Sequence, residues 1–120
     1  GFHGAAMKAP GGQVPAYELF LGGSYDERDS RIGQRVRARV PAKMMPEALK
    51  RIFPFYQEQR RDGEVVKEFV ARVGAKGLEP LLEGFQGQVG ELNRDTIDTY
   101  MDWDKTVIYK LERGEGECAV

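Results

Sequence analysis

Alternation of apolar and polar residues predicts two strands between residues 16 and 41. In the first segment, large apolar residues occur at every second position, at Tyr17, Leu19 and Leu21. The second segment reads Arg35-Val36-Arg37-Ala38-Arg39-Val40. Successive side chains of a strand point to opposite faces, so this pattern places three guanidinium groups on one face and small apolar residues on the other. Gly22-Gly23 and a polar loop over residues 24–30 separate the two strands.

The arginine face has two interpretations. A guanidinium group binds carboxylate or phosphate through paired hydrogen bonds, so a row of three suits an acidic ligand. The same row also suits a strand face that is simply exposed to water. The sequence pattern leaves both interpretations open.

The remaining pattern predicts one strand, three helices and a late strand. Gly1 to Lys8 is strand-like and ends at a Pro10-Gly11-Gly12 turn. A helix begins at Pro46, with a kink or break expected at Pro54. Its apolar positions follow helical spacing: Met45, Leu49, Ile52, Phe53 and Tyr56. Further along the chain, the pattern predicts a helix over 64–73 that stops at Gly74, a short helix over 78–83 and a strand over 106–111.

These elements predict an α+β fold: a small, mainly antiparallel sheet packed against two or three helices, with an extended C-terminal tail. Residues 1–85 form the expected folded unit, and residues 86–120 form the expected tail. The first residues are strand-like and lack an initiator methionine. We therefore expect the chain to be a piece of a longer polypeptide.

Composition limits the classes of function. Of the 120 residues, 41% are hydrophobic and 31% are charged, and 18 basic residues against 19 acidic ones give a formal net charge of -1. This balance gives no general attraction to nucleic acid or to acidic membranes, so anion binding has to come from local clustering. No apolar run approaches the roughly 20 residues of a membrane span. The one cysteine, Cys118, excludes an internal disulfide, and a reducing cytoplasm is the expected setting.

Other chemically capable residues carry weaker signals. His3 has no evident partner for acid–base work, and a structural or exposed role is favoured. Asp102 and Asp104 stand two apart, but a surface turn with Trp103 docked on the body is the favoured interpretation. Lys8, one residue before the Pro-Gly-Gly turn, is an exposed lysine or a binding residue.

Three motifs resemble a known family. The chain has Gly1-Phe2-His3-Gly4 opening a strand, Leu21-Gly22-Gly23 ending another, and Arg31-Ile32-Gly33 before the basic strand. Together with Asp62-Gly63-Glu64 and Arg72-Val73-Gly74, they resemble the C-terminal segment of sirohaem-dependent nitrite and sulfite reductases. The resemblance covers about the first 75 residues. The ending Gly114-Glu115-Gly116-Glu117-Cys118 resembles the terminus of ferredoxin-dependent members.

The resemblance implies a parent oxidoreductase that reduces nitrite to ammonia or sulfite to sulfide with six electrons. It implies sirohaem bridged to a 4Fe-4S cluster through a cysteine thiolate, with the rest of the reductase chain and a ferredoxin-type donor as partners. The cluster-binding cysteine motifs of the family are not in this sequence, and Cys118 matches none of them. We therefore expect no catalytic or metal-binding residue here and an isolated chain that is inactive.

The resemblance also implies a supporting role for basic residues. Sirohaem carries eight carboxylates, which the family surrounds with basic side chains. This makes five residues candidates for carboxylate contacts or for a ferredoxin-facing surface: Lys8, Arg31, Arg35, Arg37 and Arg39. The alternative is a free-standing binding module that uses the arginine strand to hold an acidic ligand or protein. Neither interpretation involves nucleic acid or a membrane.

Overall fold

The computed structural model describes residues 1–111 and has the expected α+β fold. Its sheet consists of β1 (Phe2–Ala9), β2 (Gly12–Leu21) and β3 (Gln34–Pro41), antiparallel throughout and ordered β1-β2-β3. Two helices follow, α1 (Met45–Gln59) and α2 (Val66–Leu82). The described residues also contain short 3-10 helices at Ala42–Met44, Gln86–Gln88 and Ile97–Tyr100. The three strands predicted before residue 42 and the order strand–strand–strand–helix–helix are confirmed.

Prolines and glycines account for where the helices begin, bend and end. Pro46 lies in the first turn of α1, where a missing N–H costs nothing. Pro54 does not break α1, which runs on to Gln59 although one internal hydrogen bond is lost there. At the predicted stop the backbone leaves the helical conformation, with φ 77° and ψ 161° at Gly74, so α2 consists of two helical segments that meet at a kink. The predicted short helix over 78–83 is therefore the second half of α2.

The sheet contributes to two apolar clusters, one of which lies under the helices. Leu19, Val36 and Val40 pack there against α1, through Met45, Ala48 and Ile52. These three strand residues are fully buried, as alternation requires. Phe53 was predicted on the packed face of α1, but its side chain is 57% exposed. The helix instead uses Ala48 in its core stripe, because the small side chain lets α1 approach the sheet closely.

The second cluster joins the first hairpin to the segment after α2. Met7, Val14 and Ala16 pack there with Val89 and Tyr100. The Tyr100 hydroxyl accepts a hydrogen bond from the N–H of Gly11 (2.9 Å) and donates one to the carbonyl of Gly90 (2.6 Å). Residues beyond 85 thus contribute to the core.

The late strand predicted over residues 106–111 is wrong. Met101 and Ile108 form a single isolated bridge, and no ladder extends from it within residues 1–111. Val107 is 68% exposed and Ile108 is 41% exposed, so the apolar alternation there does not face a core. Without a neighbouring strand to pair with, the local preference for extended structure produces only this one contact.

Candidate anion-binding groove

The arginines of β3 lie on the exposed face of the strand, as the alternation predicts. Val36 and Val40 are fully buried, whereas Arg35, Arg37 and Arg39 are exposed. The sheet curls enough for the guanidinium of Arg39 to donate a 2.8 Å hydrogen bond to the carbonyl of Ala6 in β1. The arginines therefore lie along a concave surface that extends from β3 across β2 to β1.

An open groove of about 860 Å³ follows this surface. Four of the five basic residues singled out from the sequence line it, and these are Lys8, Arg35, Arg37 and Arg39. Glu18 is the one carboxylate in its lining. Four cations against one anion give the groove a local positive charge that the net charge of the whole chain conceals.

Glu18 organises two of the arginines. A single oxygen, Oε1, accepts hydrogen bonds from Nη2 of Arg35 (2.8 Å) and Nε of Arg39 (3.1 Å). The Glu18 side chain is 10% exposed, while the two arginine side chains are 55% and 50% exposed. The hydrogen bond from Arg35 holds the pKa of Glu18 below its ordinary value, against the opposing effect of burial. Glu18 therefore stays charged and fixes both guanidinium groups at the floor of the groove.

The other two cations of the groove have no such partner. Among residues 1–111, no carboxylate lies within ion-pair distance of the guanidinium of Arg37 or the ammonium of Lys8. Their charges are exposed to the groove and available to an incoming anion. Arg35 and Arg39 retain further N–H donors, because each guanidinium carries five.

An irregularity in the β2–β3 ladder displaces Arg37 from the other two arginines. Glu18 pairs with Arg39, but its neighbour Leu19 pairs with Val36. Arg37 and Ala38 therefore lie opposite no residue of β2, which is the arrangement of a β-bulge. The N–H of Arg37 turns outward and donates to Oε1 of Glu79 in α2 (3.2 Å). The bulge explains why Arg37 does not share Glu18.

Arg31 is not part of the groove. It lies in the loop after β2, where its Nε contacts Asp29 at 3.1 Å and its backbone pairs with that of Ser24. Both contacts join Arg31 to residues of the same loop, Asp29 and Ser24. The structure thus brings together Lys8 and the three arginines of β3, and leaves Arg31 apart.

The sequence pattern did not point to Glu18. A signal was present, because Glu18 stands between Tyr17 and Leu19 in the first alternating segment. A lone acidic residue within an otherwise apolar strand, next to an arginine strand, is expected to pair across the ladder. Only the register of the strands shows that Arg35 and Arg39, rather than Arg37, reach it.

The other candidate residues show no catalytic arrangement within residues 1–111. The His3 ring lies edge-on to Phe20 with centroids 6.2 Å apart. Oδ1 of Asp102 accepts the backbone N–H of Trp103, and the Trp103 indole N–H donates to the carbonyl of Ala42 at 3.1 Å. Trp103 is therefore docked on the body at 47% exposure, in a surface turn as expected. Cys118 lies outside the described residues.

Two features of residues 1–111 bear on metal binding and on membranes. Residues 1–111 contain no cluster of three or more His, Cys, Asp or Glu side chains arranged to hold a metal ion. They also contain no helix with the length and apolar character needed to cross a membrane. The four cations of the groove have the charge needed to pair with the carboxylates of an acidic ligand.

Comparison of the chain with protein-family models, curated proteins and solved structures gives no match.

Proposed function

We propose that this chain is the C-terminal part of a sirohaem- and 4Fe-4S-dependent nitrite or sulfite reductase of the cytoplasm. In this proposal it supports the cofactor domain and is inactive alone. The rest of the reductase polypeptide supplies the cluster ligands and the substrate-binding residues. A ferredoxin-type protein supplies the electrons.

The observation that carries the proposal is the charge of the groove. Four cationic side chains from β1 and β3 line it together with one carboxylate, which contacts two of them. The connection between β2 and β3 carries the Leu21-Gly22-Gly23 and Arg31-Ile32-Gly33 motifs. An acidic tetrapyrrole needs such a surface, since buried or half-buried carboxylates require cationic partners. Arg37 and Lys8, which have no carboxylate nearby, are the residues we assign to direct contact with it.

Absorption of the full-length protein tests the parentage. The longer polypeptide, purified from its natural reading frame, should contain iron and sulfide and show sirohaem absorption. The 120-residue chain alone should show neither. A full-length protein without a sirohaem band would refute the proposal.

A charge-removal variant tests the role of the groove. Replacing Arg35, Arg37 and Arg39 together with Ala in the full-length protein should lower its sirohaem content severalfold. The matched control removes three exposed cations elsewhere, at Arg28, Lys50 and Arg94, and should leave the content unchanged. Equal sirohaem loss in both variants would show that the effect comes from total charge and not from the groove.

A second function fits the same groove. If the chain works alone, Arg37 and Lys8 would hold an acidic protein or small ligand by salt-sensitive contacts. Titration of the 120-residue chain with a hexaglutamate peptide checks this at low and high salt. Binding that weakens with salt and disappears in the Arg35, Arg37 and Arg39 triple variant supports the module. Binding that is unchanged by the triple variant excludes it.

A further inference from the structure

Strand β1 forms an edge of the sheet that no other described element pairs with. The order β1-β2-β3 gives the sheet two edges, one at β1 and one at β3. The outer edge of β3 faces α2, where Glu79 accepts the N–H of Arg37. Strand β1 has no comparable cover within residues 1–111. The two edges therefore differ, and within residues 1–111 the outward backbone groups of β1 meet one side-chain donor, Arg39 at the carbonyl of Ala6.

The hydrogen-bond pattern shows which residues of β1 point outward. Gly1 and Phe20 exchange two backbone hydrogen bonds, with N···O distances of 2.6 and 2.8 Å. The register from Phe2–Leu19 to Ala9–Gly12 contains no shift. In an antiparallel ladder, bonded and non-bonded pairs alternate. Odd-numbered residues of β1 therefore bond to β2, and even-numbered residues direct their N–H and C=O groups away from it.

Pro15 supports this assignment. It pairs with Ala6, an even-numbered residue, and a proline has no N–H to give to the ladder. Its missing N–H would point towards β3, and the β2–β3 pairing ends at Ala16 and Pro41, so the proline removes no bond from either ladder. The alternation deduced from Gly1 and Phe20 therefore continues through the middle of the strand.

The outward groups are largely unpaired. They belong to Phe2, Gly4, Ala6 and Lys8, and within residues 1–111 the one hydrogen bond given to them is that from Arg39 to the carbonyl of Ala6. The strand is eight residues long and contains no proline, with Lys8 as its one lysine. Edges exposed to water are usually protected by prolines, several charges or bulges. β1 has little of this protection, which is the character of an edge that receives another strand.

We propose that the β1 edge pairs with an extended segment of the remainder of the parent polypeptide, with neutral or acidic side chains. This inference rests on the proposed function, because that function supplies a remainder. A Cβ added at Gly4 would meet no atom within 4 Å, so a side chain on the face of a neighbouring strand would meet no obstacle there. Each added residue pair would bring backbone hydrogen bonds, and the small residues Gly4, Ala5 and Ala6 impose no steric barrier.

The positive charge of the groove favours this segment over a second copy of the chain as the partner of β1. Ala6, Met7 and Lys8 line the basic groove, so the edge and the groove adjoin each other. A symmetric pairing of two β1 strands would bring two such grooves side by side, and like charges would repel. An incoming strand without basic residues avoids this repulsion, and an acidic one gains from the groove.

Amide hydrogen exchange tests the pairing residue by residue. In the 120-residue chain, the amides of Ala5 and Met7 should be protected while those of Gly4 and Ala6 exchange quickly. In the full-length protein, the Gly4 and Ala6 amides should slow by about 100-fold, independently of protein concentration. Fast exchange of both amides in a full-length protein that contains sirohaem would overturn the inference.

Three other results have distinct meanings. Protection that rises with protein concentration would assign the edge to a second copy and overturn the inference. Protection already present in the 120-residue chain and lost on removal of residues 112–120 would assign it to the chain's own end and also overturn it. Protection in a full-length protein without sirohaem would refute the reductase and leave the strand pairing supported.

Substitutions at Gly4 give a matched pair. Gly4→Pro removes an outward N–H and keeps every bond to β2, whereas Gly4→Ala keeps the N–H and adds a side chain into open space. In the full-length protein, Gly4→Pro should restore fast exchange at Ala6, and Gly4→Ala should not. Unchanged protection at Ala6 in Gly4→Pro would count against strand addition.

Discussion

Two nearly buried carboxylates, Glu18 and Glu64, differ in how many arginines they bind and in how many of their oxygens they use. Both side chains are 10% exposed. Glu64 uses both oxygens, accepting Nε of Arg72 on Oε2 (2.9 Å) and Nη2 on Oε1 (2.7 Å). Glu18 uses one oxygen for two different arginines. The Glu64–Arg72 pair has one cation for one anion. The groove around Glu18 has four cations for one anion.

The surroundings of the two carboxylates show what this difference means. Arg72 also donates to the carbonyl of Gln59, and Tyr56 donates to the carbonyl of Glu64 itself. These bonds tie the end of α1 to the start of α2, and they use the Nε and Nη2 groups of Arg72. Around Glu18, donors remain and face water. A closed pair of this kind stabilises a fold, whereas an open cluster with surplus charge is suited to binding.

Glu64→Gln should have the largest effect on stability. Arg72 lowers the pKa of Glu64 from 4.5 to about 2, with help from the N–H of Arg61. A carboxyl group with a lowered pKa stabilises the fold fully above its unfolded pKa, and this contribution is lost as pH falls from about 4.5 towards 2. The variant should lose several degrees of thermal midpoint near neutral pH and show a flatter decline below about pH 4.5.

Urea unfolding at several pH values measures this slope. Glu58→Gln, at an exposed position of α1, serves as the control and should keep the decline of the parent chain. An equally steep decline in Glu64→Gln would show that another group dominates acid unfolding.

Arg72→Lys should have the next largest effect. A lysine ammonium keeps the charge but cannot contact both oxygens of Glu64 and the Gln59 carbonyl in one plane. It also loses the stacking of the guanidinium over Phe69, whose ring centroid lies 5.4 Å away. Thermal unfolding should give a midpoint between those of the parent chain and Glu64→Gln. A midpoint equal to that of the parent chain would mean that charge alone, without fork geometry, holds the two helices.

Glu18→Gln should lower stability less and change binding more. The substitution removes the one anion of the groove and frees guanidinium donors of Arg35 and Arg39. Affinity for a hexaglutamate peptide, measured by fluorescence anisotropy at low salt, should rise severalfold. Weaker binding would show that Glu18 is needed to position the arginines, which would make it a positioning residue for the ligand.

Arg37→Ala should have the smallest effect on stability, within about 0.5 kcal/mol, because its side chain is exposed and has no carboxylate partner among residues 1–111. Peptide affinity should nevertheless fall and lose part of its salt dependence. Arg94→Ala, at another exposed position, is the matched control for charge. Equal losses of affinity in both variants would show that the groove does not concentrate the binding.

Local pattern predicted much of the fold. Alternation placed β2 and β3, and it correctly separated the buried Val36 and Val40 from the three arginines of β3. The glycine at position 74 marked a real interruption, since its backbone angle is set by the absence of a side chain. Where the pattern was wrong, at residues 106–111, the preference for a strand had no neighbouring strand to satisfy it. Of the kink or break expected at Pro54, the break does not occur, because packing on both sides of Pro54 holds the helix together.

The sequence by itself determined which residues are basic, that they alternate on a strand, and that they lie on its outer face. Tertiary structure decided how the charges are shared. The strand register places Arg35 and Arg39 within hydrogen-bonding distance of Glu18, and the bulge keeps Arg37 away from it. The curl of the sheet brings Lys8 into the same groove. These outcomes depend on distances between residues far apart in the chain. Alternation in the sequence determines only which face of the sheet a side chain occupies. It does not show which residue of the next strand that side chain contacts.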